Sequence, residues 1–325
     1  MKHIPVLKNE IVACFSYLKE LSDGFFVDGT LGIAGHSLAI AEKNKKKEKR
    51  IKFIGIDKDE SALKLAENNI RKSGLYDNFI LVQDDFKNIT NVLGQAKDNK
   101  KISASHIDGA LLDLGVSSMQ LDQKDRGFSF ADLGARLDMR MDQSQKLDAV
   151  LLLNHYPEDK IEKILREYGE EKFSRGIAKN ICIIRRNKHI ETVGDLVYIL
   201  EKSIPIKIQK TARTHFATKT FQAIRIEVNG ELNSLKESLT DFVTHLRPGA
   251  KLAVITFHSL EDRIVKNTFR ELASDCSCPD NAPICNCDKV SQVKLINKKP
   301  IIATDEEVHI NPRSRSAKLR IVEKL

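Results

Sequence analysis

The chain contains no tryptophan and only five tyrosines. A broad aromatic platform, on which the successive bases of a single strand would stack, is therefore not expected. No apolar run approaches the roughly 18–20 residues that a membrane-crossing helix needs. The start, Met1-Lys2-His3-Ile4-Pro5-Val6, lacks the apolar stretch of a secretory signal. The expectation from these absences is a cytoplasmic protein that does not enter membranes. Cysteine is sparse: of six residues, Cys14 and Cys182 stand alone and read as core thiols. In a reducing compartment disulfides are not expected. Internal repeats and low-complexity segments are absent as well.

What is present suits a soluble globular protein. Hydrophobic residues make up 41% of 325 positions and charged residues 30%, enough to bury a sizeable core. The length points to one domain carrying an insertion or a partner domain. The formal net charge is +8, and the excess is clustered. Positions Lys43 to Arg50 are nearly all basic, Lys97 to Lys101 add more, and Arg313, Arg315, Lys318 and Arg320 crowd the end. Such a surface favours encounter with a polyanion, which makes nucleic acid a natural partner. A single run such as Lys43 to Arg50 equally reads as a solvated helix end.

Along the first third, short apolar runs alternate with helical spacing. Phe25 to Val27, Lys52 to Ile56, Phe79 to Val82 and Ile107 to Leu112 read as strands, and Ser61 to Lys72 carries Ala62, Leu65, Ala66 and Ile70 on one helical face. This alternation predicts an α/β fold, a parallel sheet with helices on both faces. From about Asp122 to Lys219 the strand signal fades. Leu147 to Leu153, Pro157 to Tyr168, Arg175 to Arg186 and Thr192 to Ile204 read as helices. Strand character resumes at Lys251 to Phe257, and a last strand near Ala317 to Val322 is expected to close the sheet. The expected organisation is a sheet domain over residues 1–121 and 220–325, interrupted by a mostly α-helical insertion over 122–219.

Three predicted strands end in acids, Asp28, Asp57 and Asp113. Ligands of open α/β sheets bind beyond the carboxyl ends of the strands. After the first strand runs Asp28-Gly29-Thr30-Leu31-Gly32-Ile33-Ala34-Gly35-His36, whose glycines let the backbone approach a ligand. Asp57 lies 22 positions after Gly35, about the spacing at which an acid receives ribose hydroxyls. The glycine spacing is G-x-x-G-x-x-G rather than the dinucleotide pattern G-x-G-x-x-G. It suits S-adenosylmethionine, which has no pyrophosphate, better than a nicotinamide cofactor. A turn without a ligand shares the same letters. Phe86, in Asp84-Asp85-Phe86, stands where a ring would lie against adenine or simply pack in the core.

Longer motifs carry a resemblance. These include His3-Ile-Pro-Val-Leu7, Asp28-Gly-Thr-Leu-Gly-Ile-Ala-Gly-His36, Asp108-Gly-Ala-Leu-Leu-Asp-Leu-Gly-Val-Ser-Ser118, Arg126-Gly-Phe-Ser-Phe130 and Leu137-Asp-Met-Arg-Met-Asp142. Thr220-Phe-Gln-Ala-Ile-Arg-Ile226, Ile255-Thr-Phe-His-Ser-Leu-Glu-Asp-Arg263 and Asn311-Pro-Arg-Ser-Arg-Ser-Ala-Lys-Leu-Arg320 follow in order. Through them the chain resembles the bacterial small-subunit ribosomal RNA (cytosine-N4)-methyltransferases, family H or MraW, over nearly its whole length. The resemblance implies a Rossmann-like methyltransferase fold. It implies methyl transfer from S-adenosylmethionine to the exocyclic N4 of a decoding-centre cytidine, position 1402 of 16S rRNA, in the 30S subunit. The family's cofactor contacts fall here on Ala34, Gly35, His36, Asp57, Phe86, Asp113 and Gln120. Ala34 stands where the family usually has glycine, and Met119 where it often has proline. The oligomeric expectation is a monomer or homodimer. Another RNA, DNA or protein substrate is the alternative, as is a non-catalytic ribosome assembly factor.

Methyl transfer to a conjugated amine asks mainly for alignment and for acceptors of the amine's hydrogen bonds. Asp113 and the backbone beside it are expected to orient the amine. His258, after the Lys251 to Phe257 strand, reads either as a proton acceptor or as a structural histidine. The target base must leave its stack, and Phe128 or Phe130 is expected to hold it. Arg136, Arg140, Arg213, Arg225 and the Arg313–Arg320 tail are phosphate-contact candidates, each equally able to be structural. Finally, Cys276, Cys278, Cys285 and Cys287 read C-x-C-x6-C-x-C. Four thiolates suit a structural zinc ion, although the spacing departs from the usual knuckle. Reduced thiols or redox pairing are the other readings.

Overall fold

The computed structural model describes residues 4–44, 50–98, 106–117, 124–211, 214–276, 278 and 287–325. It divides into two compact units, one made of residues 1–115 with 234–325 and the other of residues 116–233. The boundary expected at residue 219 falls inside a helix, Thr218–Asn229, which belongs whole to the second unit.

The first unit is built on one sheet of eight strands, β1 (Asp23–Asp28), β2 (Arg50–Asp57), β3 (Phe79–Gln83), β4 (Ile107–Asp113), β5 (Leu246–Thr256), β6 (Val293–Leu295), β7 (Ile301–Ile302) and β8 (Lys318–Lys324), in the order β3-β2-β1-β4-β5-β8-β6 with β7 paired to β8. Strands β1, β2, β3, β4 and β5 run parallel to one another. Helices α1 (Lys8–Cys14), α2 (Gly35–Lys43), α3 (Glu60–Ser73) and α4 (Ile89–Asp98) come between or beside them. The chain leaves β1 towards β2 on one side and reaches β4 on the other. The β1/β4 junction is thus the switch point at which an open α/β sheet forms its ligand crevice.

Residues that sit opposite one another across the sheet build one face of the core. Phe26 pairs with Phe53, and Phe53 with Phe79. Their ring centroids lie 5.4 Å and 4.9 Å apart. Phe15 meets Phe26 edge-on at 4.8 Å. Aromatic cross-strand pairs of this kind fix register as well as burying area.

The end of the chain differs from the expectation. Strand β8 (Lys318–Lys324) does not close the sheet. It lies inside it, antiparallel to β5 on one side and to β6 (Val293–Leu295) on the other, while β7 (Ile301–Ile302) pairs with it antiparallel. The two added strands are too short for an alternating pattern to register in the sequence.

The second unit is helical, with Ala149–His155, Glu158–Gly169, Ser174–Ile184, Val193–Ser203, Ile206–Thr211 and Thr218–Asn229 as α5 to α10. Asp148 caps α5 through the Leu151 N–H, and Thr192 and Asp195 form a reciprocal capping box on α8. Leu152, Leu165, Ile177, Ile181, Leu196, Leu200 and Ile224 fill its own core. Among the described residues no helix is long and apolar enough to cross a membrane.

Candidate active site at the carboxyl ends of the strands

The loop from β1 to α2 is held by acids at three strand ends. Asp28 is buried. One of its carboxylate oxygens accepts the Thr30 N–H (3.2 Å) and the other the Ser37 hydroxyl (2.6 Å). Asp57 accepts the Gly32 N–H (2.7 Å) and, with its other oxygen, the Asp59 N–H (2.9 Å). A second lone pair remains on each Asp57 oxygen. The Thr30 hydroxyl in turn accepts the Asp113 N–H at 2.6 Å, which ties the end of β4 to the loop.

Close approach at this junction depends on Gly29. A Cβ there would stand 2.4 Å from Leu112 and 3.0 Å from Cβ of Phe86. The glycine therefore lets Phe86, half-buried at the start of a short 3-10 turn, come up against the loop. Two loop residues have left-handed backbone, Gly32 (φ 53°) and Ala34 (φ 67°). Glycine adopts this region freely, whereas a Cβ is strained there. Ala34 is fully buried and sits just before α2, with Gly35 as the first helical residue.

His36 and Asp113 come together, with Nε2 3.7 Å from a carboxylate oxygen. The other oxygen of Asp113, Oδ1, is buried and has no hydrogen-bond partner among the described residues. Burial pushes the Asp113 carboxyl up to about 8, helped by the charges of Asp28 and Glu261. Burial likewise raises Asp28 and Asp57, each to about 6, against the pull of their hydrogen-bond donors. Carboxyls crowded into one edge of low polarity resist ionising together. A cation brought among them is welcome, and an anionic pyrophosphate is not.

A family model, the MraW methylase family, matches residues 1–325. The chain belongs to the MraW methylase family. Curated relatives named ribosomal RNA small subunit methyltransferase H agree over full length. That of Clostridioides difficile is 47% identical across 99% of both chains. One from Clostridium botulinum is 48% identical across 100% of this chain and 99% of its own. That of Finegoldia magna is 42% identical across 100% and 99%. Among solved structures, an rRNA methylase from Streptococcus thermophilus aligns with a TM-score of 0.39 at 11% identity, over 96% of this chain and 93% of that one. That likeness is too distant to bear on the assignment.

Two residues at this edge escaped the sequence reading. Thr30 holds β4, as above. Glu261 is almost wholly buried and forms a capping box with His258. Nδ1 of His258 accepts the Glu261 N–H at 3.4 Å, and Nε2 lies 3.1 Å from the Glu261 carboxylate. That carboxylate also accepts the Phe257 N–H at 2.8 Å. Helix α11 (Leu235–His245) leads into β5, and after β5 the His258 ring is engaged as the N-terminal cap of α12 (Ser259–Leu272). The spacing of an N-cap residue and a glutamate three positions on was present in the sequence.

The expected RNA contacts are mostly taken up inside the protein. Arg140 chelates Asp138 (2.8 and 2.7 Å) and donates to the Gln143 and Gln145 carbonyls. Arg225 forms a two-pronged pair with Glu231 (2.8 Å each). Arg136 pairs with Asp148 at 2.9 Å. In the tail, Arg320 is buried against Asp262 (2.7 and 3.3 Å), and Lys318 reaches the same carboxylate, while Arg313 and Arg315 are exposed. Phe128 is a core residue, and Phe130 is half-buried with its ring stacked on His215 at 4.3 Å. Arg140, Arg225, Arg320 and Phe128 thus hold the fold, while Arg136, Arg313 and Arg315 are exposed. Gln120 and Arg213 lie outside the described residues.

Cys276, Cys278 and Cys287 converge, with their sulfurs all within 4.8 Å of one another. Cys276 and Cys287 stand 3.8 Å apart, far beyond the roughly 2 Å of a disulfide bond. Cys285 lies outside the described residues.

Proposed function

We propose that this protein transfers a methyl group from S-adenosylmethionine to the exocyclic N4 of the decoding-centre cytidine of 16S rRNA, acting on the small ribosomal subunit in the cytoplasm. The observation that carries the reading is Asp113. It offers a buried acceptor oxygen with no partner among the described residues, at the switch point of the sheet and beside the glycine-rich loop. The curated relatives' names supply the RNA class. The residues fit the cofactor on two counts. Three crowded carboxyls favour a cation, and the loop brings backbone rather than bulk to the crevice.

S-adenosylmethionine, when bound, supplies a methyl carbon already activated on a sulfonium. The chain's part is alignment and charge. Loop residues Gly32 to His36 and the acid Asp57 would hold the cofactor, with Phe86 against its adenine. Asp113, once ionised, accepts a hydrogen bond from the incoming amine, keeping electron density on the nitrogen and pointing its lone pair along the line of transfer. The test is transfer of labelled methyl to small subunits that lack the modification, followed by nucleoside analysis. Label in N4-methylated cytidine is the expected result. Label in any other nucleoside, or none, overturns the substrate assignment.

The cysteine cluster is read as a structural zinc site. Four Zn–S bonds of about 2.3 Å in a tetrahedron set the sulfurs about 3.8 Å apart, the separation of Cys276 and Cys287. Cys276, Cys278 and Cys287 would hold the ion, with Cys285 as the fourth thiolate. Protein purified without chelators should carry one zinc per chain, lost in Cys276→Ser. Metal-free wild-type protein with full thermal stability would refute the site.

A further inference from the structure

With Arg140 and Arg225 engaged inside the insertion, another part of it carries exposed positive charge. Residues 172–190 contain no aspartate or glutamate, whereas the chain as a whole has 45 acids in 325 residues. The centre of this stretch is α7, Ser174–Ile184, which buries Ser174, Ile177, Ala178, Ile181 and Cys182. Its opposite face is exposed. Arg175 and Lys179 stand one turn apart, Ile183 follows at 44% exposure, and Lys172 and Arg186 flank them in the adjoining turns. At about 1.5 Å per residue the stripe is roughly 20 Å long.

Two features separate this stripe from an ordinary solvated face. Several exposed cations of other helices are matched within the fold, Lys64 with Glu60, Arg71 with Glu67, Arg166 with Glu162 and Lys236 with Glu271, whereas this stretch has no acid of its own to match its cations. Even within the acid-free stretch, Lys188 reaches Asp195 and Arg185 caps the Leu153 and Tyr156 carbonyls. Among the described residues, Lys172, Arg175, Lys179 and Arg186 stand in no ion pair. The second feature is Gly176, inside the helix and between Arg175 and Lys179. A Cβ there would meet nothing within 4 Å, and its φ lies outside the left-handed range. Neither packing nor backbone geometry requires glycine at this place, where it is a poorer helix former than alanine. What it provides is a bare strip of helix surface that a partner's backbone can approach closely.

We propose that the exposed face of α7 is a docking surface for the sugar–phosphate backbone of the substrate RNA, with Arg175, Lys179 and Arg186 each neutralising a phosphate. The inference rests on the ribosomal RNA reading above. The spacing of the cations along one face, together with the absence of acids, matches a line of phosphates, and the bare strip at Gly176 lets the strand lie close.

The test uses full-length protein and small ribosomal subunits lacking the N4 methyl group, with binding measured from low to high salt. Each phosphate contact contributes about 0.7–0.9 to the slope of log affinity against log salt. The triple variant Arg175→Gln, Lys179→Gln, Arg186→Gln should therefore flatten the slope by about 2–3. It should bind on the order of a hundredfold more weakly at 0.1 M salt, while the shift in melting temperature caused by S-adenosylmethionine stays as in wild type. Gly176→Gln restores a good helix former, so it should keep or raise the melting temperature and still weaken subunit binding. Wild-type slope and affinity in the triple variant overturn the docking face alone. Weakened binding with an unchanged slope also overturns it, since the contacts would not be to phosphates. Failure of the wild-type protein to bind subunits at all would instead remove the ribosomal reading, and the docking face with it.

Discussion

At the residue scale, Asp113 separates binding from chemistry. Its amide N–H is committed to Thr30 and its carboxylate to the crevice. Asp113→Asn keeps the shape and the backbone bond but removes the negative charge that receives the amine. Loss of one aimed electrostatic partner typically costs on the order of 100–1,000-fold in turnover. Affinity for S-adenosylmethionine, read by calorimetry at or below pH 7, where the free carboxyl is mostly protonated, should fall far less, and equal loss in both would assign Asp113 to binding alone. Ala34 makes a second prediction at this scale. Its left-handed backbone strains a Cβ by about 1 kcal/mol, and the family's usual glycine would release that strain. Ala34→Gly should raise the melting temperature slightly without lowering turnover. A lower melting temperature would mean that the buried methyl group contributes more by packing than its backbone costs.

At the scale of elements, His258 is best understood through the helix it starts. Its ring and the Glu261 carboxylate satisfy N–H groups at the head of α12 that the helix itself leaves without partners. Asparagine is a good cap, so His258→Asn should keep most of the stability and leave the pH–rate profile unchanged. His258→Ala should cost about 1 kcal/mol. A profile that loses a limb in His258→Asn would restore the histidine to the chemistry.

The same scale explains what the sequence made legible. The parallel strands and their terminal acids could be read because each buried strand is a continuous apolar run that stops where the chain enters the crevice. Four helices of the second unit could be read from their periodicity to within a few residues, whereas Ile206–Thr211 and Thr218–Asn229 went unread. The places of β6, β7 and β8 could not, because short antiparallel strands gain their order from pairing across distant sequence. Nor could the duties of the arginines. Arg320 meets Asp262 across 58 positions and Arg225 meets Glu231 across six, and nothing in a linear sequence distinguishes an arginine so paired from one facing solvent.

At the scale of the whole molecule, the charge is divided. The chain carries a net +8, which favours a polyanion, yet the crevice at the strand ends is acidic and favours a cation. The division has a consequence for stability. In the unfolded chain the Asp113 carboxyl titrates near its ordinary 3.8, and in the folded protein it titrates at about 8. Between those values the folded state holds a proton that the unfolded state has released. Stability contributed by this protonation is complete below about pH 4 and is lost as pH rises through about 8. Asp28 and Asp57 act in the same direction over the narrower range up to about 6. The free protein should therefore melt at lower temperature at pH 8 than at pH 6. A cationic cofactor reverses the balance, because it binds best when Asp113 is ionised and so displaces the proton. The stabilisation given by S-adenosylmethionine should grow from pH 6 to pH 8, and calorimetry in buffers of different ionisation enthalpy should detect a proton released on binding. A cofactor-induced shift that is flat with pH, with no proton released, would place the sulfonium away from Asp113 and transfer the cofactor's charge partner to another acid.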